Sequence, residues 1–135
     1  MKFVIIGGDA AGMSAASRAK RSMPDMEVIV LEKTEDVSYS ACGMPYNIAD
    51  ASRTMDDLVV RSADVFRQKQ DIDLRTGHVV ECVDPGSRLV SGTIQGTQAS
   101  FSFSYDRLLI ATGGRSIIPD LPGFDLPGVL ALKSL

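Results

Sequence analysis

Lys2-Phe3-Val4-Ile5-Ile6-Gly7-Gly8-Asp9-Ala10-Ala11-Gly12-Met13-Ser14-Ala15-Ala16 is an apolar run that breaks at glycine and resumes as an alanine-rich segment. A short unbroken run of β-branched and aromatic residues ending in glycine fits a parallel strand buried on both faces. The next stretch, from about Ala10 to Met23, has helix-forming composition and is stopped by Pro24. Glu27-Val28-Ile29-Val30-Leu31-Glu32 is a second strand-like run. Strand, glycine turn, helix and strand within about 32 residues make a βαβ unit, whose crossover is right-handed.

The turn Gly7-Gly8-Asp9-Ala10-Ala11-Gly12 fills a G-x-G-x-x-G frame, with Asp9 where the second glycine normally stands. The first glycine allows the tight turn, the second lets backbone approach a pyrophosphate, and the last permits close helix–strand packing. The helix N-terminus then offers N–H groups and a positive dipole end to the phosphates. A carboxylate at Asp9 would be repelled by that anion, so its side chain is expected to turn away. Glu32, twenty residues after Gly12, stands where an acidic side chain accepts hydrogen bonds from an adenosine ribose. It also disfavours a 2′-phosphate, an effect that the neighbouring Lys33 opposes. The pattern points to a dinucleotide without deciding between FAD and NAD. The alternative is a glycine-rich turn that binds nothing.

Farther along, residues 36–54 read as loop with a short helix beginning near Cys42 or Gly43. Ser62 to Gln70 reads as a helix with Ser62 as its N-cap, and Ile72 to Thr76 as a third parallel strand. Val79–Val83, Arg88–Ile94 and Ala99–Tyr105, punctuated by Pro85-Gly86 and by Gly92 to Gly96, predict an antiparallel meander. Tyr105 to Gly114 then predicts a return to a buried parallel strand around Leu108–Ala111. The expected fold is a three-layer α/β, Rossmann-like domain with a parallel sheet and a β-meander. Residues 119–135 carry three of the six prolines in the stretch Pro119 to Gly128 and read as an extended connector, leaving 1–118 as the domain.

Composition narrows the function classes. At 135 residues, 44% hydrophobic and 23% charged, the chain has ordinary globular composition. A net charge of −3 argues against non-specific nucleic-acid binding. No apolar run approaches the roughly 20 residues that span a bilayer. The first residues enter a strand directly, without a signal-peptide layout, which points to the cytoplasm. The single histidine, His78, lacks partners at metal-ligand spacing, so a structural role is expected and no metal site.

Two cysteines are present, Cys42 and Cys82, with no Cys-x-x-Cys pair that would support an internal disulfide shuttle. Cys82, in Val79-Val80-Glu81-Cys82-Val83, reads as a small buried thiol in a strand. Cys42 lies in Ser38-Tyr39-Ser40-Ala41-Cys42-Gly43-Met44-Pro45-Tyr46, after the second strand and so toward the ligand-binding edge of the sheet. A helix starting beside it would aim N–H groups at the sulfur, and Ser38 and Ser40 are within reach to hydrogen-bond it. A reactive thiolate and an inert loop thiol both remain open from these residues alone. Ser14, Arg18 and Arg21 recur at i, i+4 and i+7 on the first helix, either as an anion-binding face or as a solvated one.

Taken in order, the glycine turn, Glu32, the Ser38–Tyr46 stretch and Tyr105-Asp106-Arg107-Leu108-Leu109-Ile110-Ala111-Thr112-Gly113-Gly114 resemble the single-cysteine FAD-dependent pyridine nucleotide-disulfide oxidoreductases. That group includes coenzyme A disulfide reductases, NADH oxidases and coenzyme A persulfide reductases. The resemblance implies FAD as cofactor and NAD(P)H as hydride donor. Gly7, Ala10, Ala11, Gly12, Glu32 and Lys33 would surround the ADP half, Val80 would meet adenine through its backbone, and Ala111, Thr112 and Gly113 would line the flavin. Cys42 would be the redox cysteine, and Ser14, Arg18, Arg21 and Ser38 would contact a small thiol or disulfide such as coenzyme A. Two positions depart from the coenzyme A pattern: Ala41, where asparagine occurs, and Gln70, where a lysine is expected but stands next door as Lys69.

The family's nicotinamide unit, its closing Gly-Asp strand and its dimerisation domain have no counterpart in the chain. The connector 119–135 would lead toward the nicotinamide unit, and a homodimer is expected only of a full-length enzyme. The missing Gly-Asp strand predicts weak flavin retention. Two classes of function follow: the FAD-binding part of an oxidoreductase, or a truncated, non-catalytic nucleotide-binding module.

Overall fold

The computed structural model describes residues 1–97 and 99–135. The apolar runs form strands as their composition dictates: β1 (Lys2–Ile6), β2 (Glu27–Leu31), β3 (Asp73–Arg75) and, near the far end, β7 (Arg107–Ile110). They lie in the order β3-β2-β1-β7 with every pair parallel. Helix α1 (Ala10–Ser22) crosses from β1 to β2, and α3 (Ala63–Gln70) leads into β3. Between β3 and β7 the chain makes the antiparallel meander β4 (His78–Asp84), β5 (Leu89–Ile94) and β6 (Ser100–Ser104).

Strand periodicity assigns the layers. Ile5, Val28, Val30 and Leu74 point to the helical side, where they bury Met13 and Ala16 of α1 and Phe66 of α3. Val4, Ile6, Ile29 and Leu31 point to the other side, against Val90 of β5 and flanking Val80, Val83, Phe101 and Phe103. The parallel sheet is therefore sandwiched between helices and meander, which is the three-layer order expected. It also explains why β1 and β2 read as continuous apolar runs without alternation.

Local signals explain the element ends. α1 closes at Met23, whose N–H donates to Ala19 O, just before Pro24. Lys20 Nζ then donates to the Pro24 and Met26 carbonyls and pairs with Asp71, placing a cation at the negative end of the helix. Ser62 takes the N-cap place of α3 but makes no side-chain cap bond. His78 packs on the Phe101 ring with Nδ1 against Thr76 O, in keeping with a structural role.

Two expectations are corrected. Cys82 is exposed, because the ladder slips between Val80 and Cys82. A bulge there turns both Glu81 and Cys82 outward while Val83 stays inward, so alternation read from sequence assigns the wrong face. The strand of Leu108 is only half buried, because β7 pairs with β1 alone and stands at the sheet edge, with Ile110 62% exposed. Beyond it, residues 111–135 hold no helix or strand, and most of their apolar side chains are exposed. Among the described residues no helix is long and apolar enough to cross a membrane.

Ile5 is fully buried beneath α1, whereas Leu121 is 57% exposed. We expect Ile5→Ala to cost about 2–5 kcal/mol in urea unfolding and Leu121→Ala to stay within about 0.5 kcal/mol. Equal losses would contradict the layer assignment.

Candidate functional site at the carboxyl edge of the parallel sheet

Parallel strands deliver their C-termini to one edge, and backbone hydrogen bonds fasten those ends together. Gly7 N–H donates to Leu31 O, Ala111 N–H to Ile6 O, and Glu32 N–H to Arg75 O. Gly7 has φ +109°, and a Cβ on it would lie 2.3 Å from Ala111 O. A Cβ on Gly12 would lie 1.8 Å from Gly7 O, so the start of α1 rests directly on the turn. The first-turn N–H groups of a helix have no intrahelical acceptor, and here they open at the sheet edge beside Gly8.

Glu32 braces the turn from the next strand end. Its Oε2 accepts from Gly8 N–H at 2.7 Å, and Oε1 accepts from Thr34 N–H at 2.9 Å and from Thr34 Oγ1 at 3.0 Å. These bonds fix the carboxylate while leaving it further lone pairs. Lys33 is exposed beside it. His78 N–H donates to Glu32 O, so β4 departs next to Glu32 and carries the half-buried Val80 two residues on. Thr112 and Gly113 are exposed just past β7, with Gly113 at φ +67°. The edge thus gathers Gly7, Ala10, Ala11, Gly12, Glu32 and Ala111–Gly113.

The loop after β2 is held against the turn. Ser38, at φ 50°, donates its N–H to Gly8 O and accepts from Val60 N–H, and Ser40 N–H donates to Leu58 O. Ala41–Gly43 then form a single 3₁₀ turn, followed by α2 (Met44–Ala49). Met44, Asn47 and Leu58 are buried beneath, and a Cβ on Gly43 would lie 2.5 Å from Leu58 Cδ2. Cys42 is left exposed on top, outside any disulfide.

The expected thiol environment is corrected in two respects. Cys42 sits within the 3₁₀ turn, one residue before Gly43, which caps α2. α2 has only six residues, and Pro45 in its first turn carries no N–H, so fewer donors face that end than the sequence suggested. Among the described residues, neither Ser38 nor Ser40 hydrogen-bonds the sulfur. The Ser38 and Ser40 N–H groups are already engaged by Gly8 and Leu58.

A cavity of about 390 Å³ opens alongside α1. Ala10, Met13, Ser14, Ser17 and Arg21 line it at helical spacing, with Asp9, Ser38, Tyr39 and Arg61 around them. It brings Ser14, Arg21 and Ser38 together but leaves out Arg18, which is exposed. A second cavity of about 510 Å³ shares Ser17 and Arg21 and adds Lys20, Lys69 and Gln70. The reading of the sequence missed Asp9, Tyr39 and Arg61 as cavity residues. Arg61 follows Val59-Val60 in a loop, and no motif marks it. Asp9 is among the cavity residues, with its Oδ1 closed to solvent and without a hydrogen-bond partner.

The family model of the pyridine nucleotide-disulphide oxidoreductases matches residues 1–134. The chain belongs to that family. Among its relatives, an NAD(P)H coenzyme A polysulfide/persulfide reductase of Pyrococcus horikoshii is 42% identical over 128 residues, covering 95% of this chain and 28% of that protein. An NADH oxidase of Methanocaldococcus jannaschii is 32% identical over 135 residues, covering 100% of this chain and 30% of that one. The structure of an NAD-dependent persulfide reductase from A. fulgidus superposes with a TM-score of 0.90 at 34% identity, over 99% of this chain and 26% of that chain. The chain therefore spans under a third of the length of these oxidoreductases.

Tyr39 lines the first cavity, and burial is the largest cause of a phenol pKa raised above 10.0, with the charges of Asp9, Glu32 and Asp36 adding to it. A pKa raised on folding contributes stability that is complete below the unfolded value and is lost as pH rises through the folded one. We expect the chain to lose stability as pH climbs past 10.0, and Tyr39→Phe to flatten that part of the profile in thermal unfolding. An unchanged slope would contradict the burial of this phenol.

Proposed function

We propose that this chain is the FAD-binding part of an NAD(P)H-dependent oxidoreductase that reduces a coenzyme A disulfide or persulfide through Cys42. The observation that carries the reading is the 42% identity to a coenzyme A polysulfide/persulfide reductase, together with an exposed Cys42 on the loop that Ser38 ties to Gly8 of the glycine turn. Residues 119–135 are read as the connector toward a nicotinamide-binding unit, and the whole enzyme as a cytoplasmic homodimer.

The residues at the sheet edge fit a dinucleotide. Gly7 and Gly12 let β1, the start of α1 and the end of β7 close backbone against backbone, and the first turn of α1 offers its N–H groups at that edge. Glu32, oriented by Gly8 and Thr34, has acceptors left for ribose hydroxyls, and Lys33 lies at the same rim. Ala111, Thr112 and Gly113 extend along the adjoining strand end toward the flavin, and Val80 offers backbone to adenine. The flavin, when bound, supplies two-electron transfer between nicotinamide and sulfur.

The chain's own part in the chemistry is nucleophilic and positional. The Cys42 thiolate attacks the sulfur of a disulfide R–S–S–R, forming Cys42–S–S–R and releasing RS⁻. Two electrons from NAD(P)H then cleave that mixed disulfide, returning the Cys42 thiolate and a second RS⁻. With a persulfide R–S–SH, attack at the outer sulfur leaves Cys42–S–SH and RS⁻, and reduction releases the sulfur as HS⁻. Ser14, Arg21 and Ser38 hold the thiol's arm in the cavity beside α1, and Arg18 contributes long-range positive charge from the adjacent strip. The 32% identity to an NADH oxidase over the full chain favours oxygen as a second acceptor class.

In an enzyme carrying this chain with its nicotinamide unit, Cys42→Ser should lower coenzyme A disulfide turnover at least a thousandfold while Cys82→Ser leaves it within twofold, on the order expected for loss of a nucleophile. Turnover that survives Cys42→Ser would contradict the role of the cysteine. Activity only with oxygen would favour the oxidase reading. Glu32→Ala should weaken FAD binding by roughly 1.5–3 kcal/mol in a fluorescence titration, and unchanged affinity would contradict the ribose assignment.

A further inference from the structure

A row of stacked groups runs from β3 to β4 by way of β6. The Arg75 guanidinium lies over the Phe103 ring, 4.5 Å from its centroid. Phe103 meets Phe101 with centroids 5.5 Å apart, and Phe101 meets the His78 ring at 4.9 Å. Asp73 holds the guanidinium in place, accepting from Nε at 3.0 Å and from Nη2 at 2.8 Å. The two ends of this row are the two residues that hold the main chain of Glu32. Its N–H donates to Arg75 O, and its carbonyl accepts from His78 N–H. Between those ends, Gly77 N–H donates to Thr34 O, and Thr34 in turn orients the Glu32 carboxylate. The contacts therefore close a loop around Glu32. They also answer a weakness in the sheet, because β3 has three residues, pairs with β2 alone, and meets Glu32 at its last residue. A strand end so short and one-sided opens easily unless a side chain ties it down. Arg75 is the ladder partner of Leu31 and lies with it on the meander side, where Phe103 can tie it.

We propose that Arg75 is a positioning residue for the adenosine end of the dinucleotide: stacked through Phe103 and Phe101 to His78, it holds the backbone on both sides of Glu32, so that the carboxylate stands where ribose hydroxyls meet it. This role rests on the reading of Glu32 as the ribose acceptor, and it places a requirement for nucleotide binding outside the glycine turn. Arg75 acts through Glu32 and not by touching the nucleotide. Loosening the row lets the end of β3 drift, which costs the ribose hydrogen bonds first. The pyrophosphate edge suffers least, because Gly7 and Gly12 are locked there by backbone contacts of their own.

The test titrates the ¹⁵N-labelled 135-residue chain with ADP and with 2′,3′-dideoxy-ADP, which keeps adenine and the diphosphate but lacks the free ribose hydroxyls. Affinities are read from amide chemical shifts. The parent should prefer ADP about tenfold or more, the scale of hydrogen bonds to a charged group. Arg75→Met keeps a straight apolar stem and loses the planar cation. It should cut the preference to about threefold or less and bind the dideoxy analogue within about twofold of the parent. Phe103→Leu should do the same, and it decides the matter if Arg75→Met does not fold. A merely structural role would weaken both nucleotides alike. That result, or an unchanged preference, overturns the positioning role and leaves the ribose reading of Glu32 standing. A parent that binds the two nucleotides equally overturns the ribose reading and the positioning role with it. A parent that binds neither overturns the dinucleotide reading as well.

Discussion

The approach of backbone to backbone at the glycine turn is the constraint on which the rest depends. With Gly12 resting against the Gly7 carbonyl and Gly7 against that of Ala111, no side chain can stand between β1, the start of α1 and the end of β7. That contact fixes the height at which α1 leaves the sheet. It thereby sets which residues of α1 pack into the core, Met13 and Ala16, and which line the cavity, Ser14 and Arg21 together with the inner edge of Met13. It also leaves the first-turn N–H groups pointing at open space. A single crowded turn therefore positions together the edge proposed for a dinucleotide and the cavity proposed for a thiol.

The second consequence concerns Ser38. Its backbone bridges Gly8 and Val60 in a left-handed conformation, tying the loop that carries Cys42 to the same turn. The thiol's place is thus set by main-chain bonds and by Met44, Asn47 and Leu58 beneath it, with its own side-chain environment left open on the exposed face. A cysteine so placed is backed by main-chain bonds and open to solvent, which suits the nucleophilic role proposed for it.

Much of this was legible in the sequence because the signals were backbone signals. Apolar runs broken by glycine gave β1, α1 and β2 their bounds within a residue or two, and Pro/Gly punctuation marked the meander. What escaped was decided by contacts between distant segments. Cys82 faces solvent because of a bulge, and a bulge leaves no mark in the alternation of Val79 to Val83. The turn at Cys42 is 3₁₀ and its Gly43 lies against Leu58, fifteen residues later. Arg61 lines the α1 cavity next to the bond from Val60 N–H to Ser38 O, a contact between distant segments. Asp9 stood out as a departure from the glycine frame, but nothing in that frame marks it as a wall of the cavity beside α1.

The central claim is that the carboxyl edge, and not the cavity or the meander's outer face, receives a dinucleotide. Amide chemical shifts of the ¹⁵N-labelled chain during titration with FAD test it most directly. The account predicts that Gly8, Ala10, Ala11, Gly12 and Glu32 shift first and saturate together, while Ser102, Ser104 and Arg61 stay in place. Shifts confined to β4–β6 or to residues 119–135, with the glycine-turn amides unmoved, would contradict it.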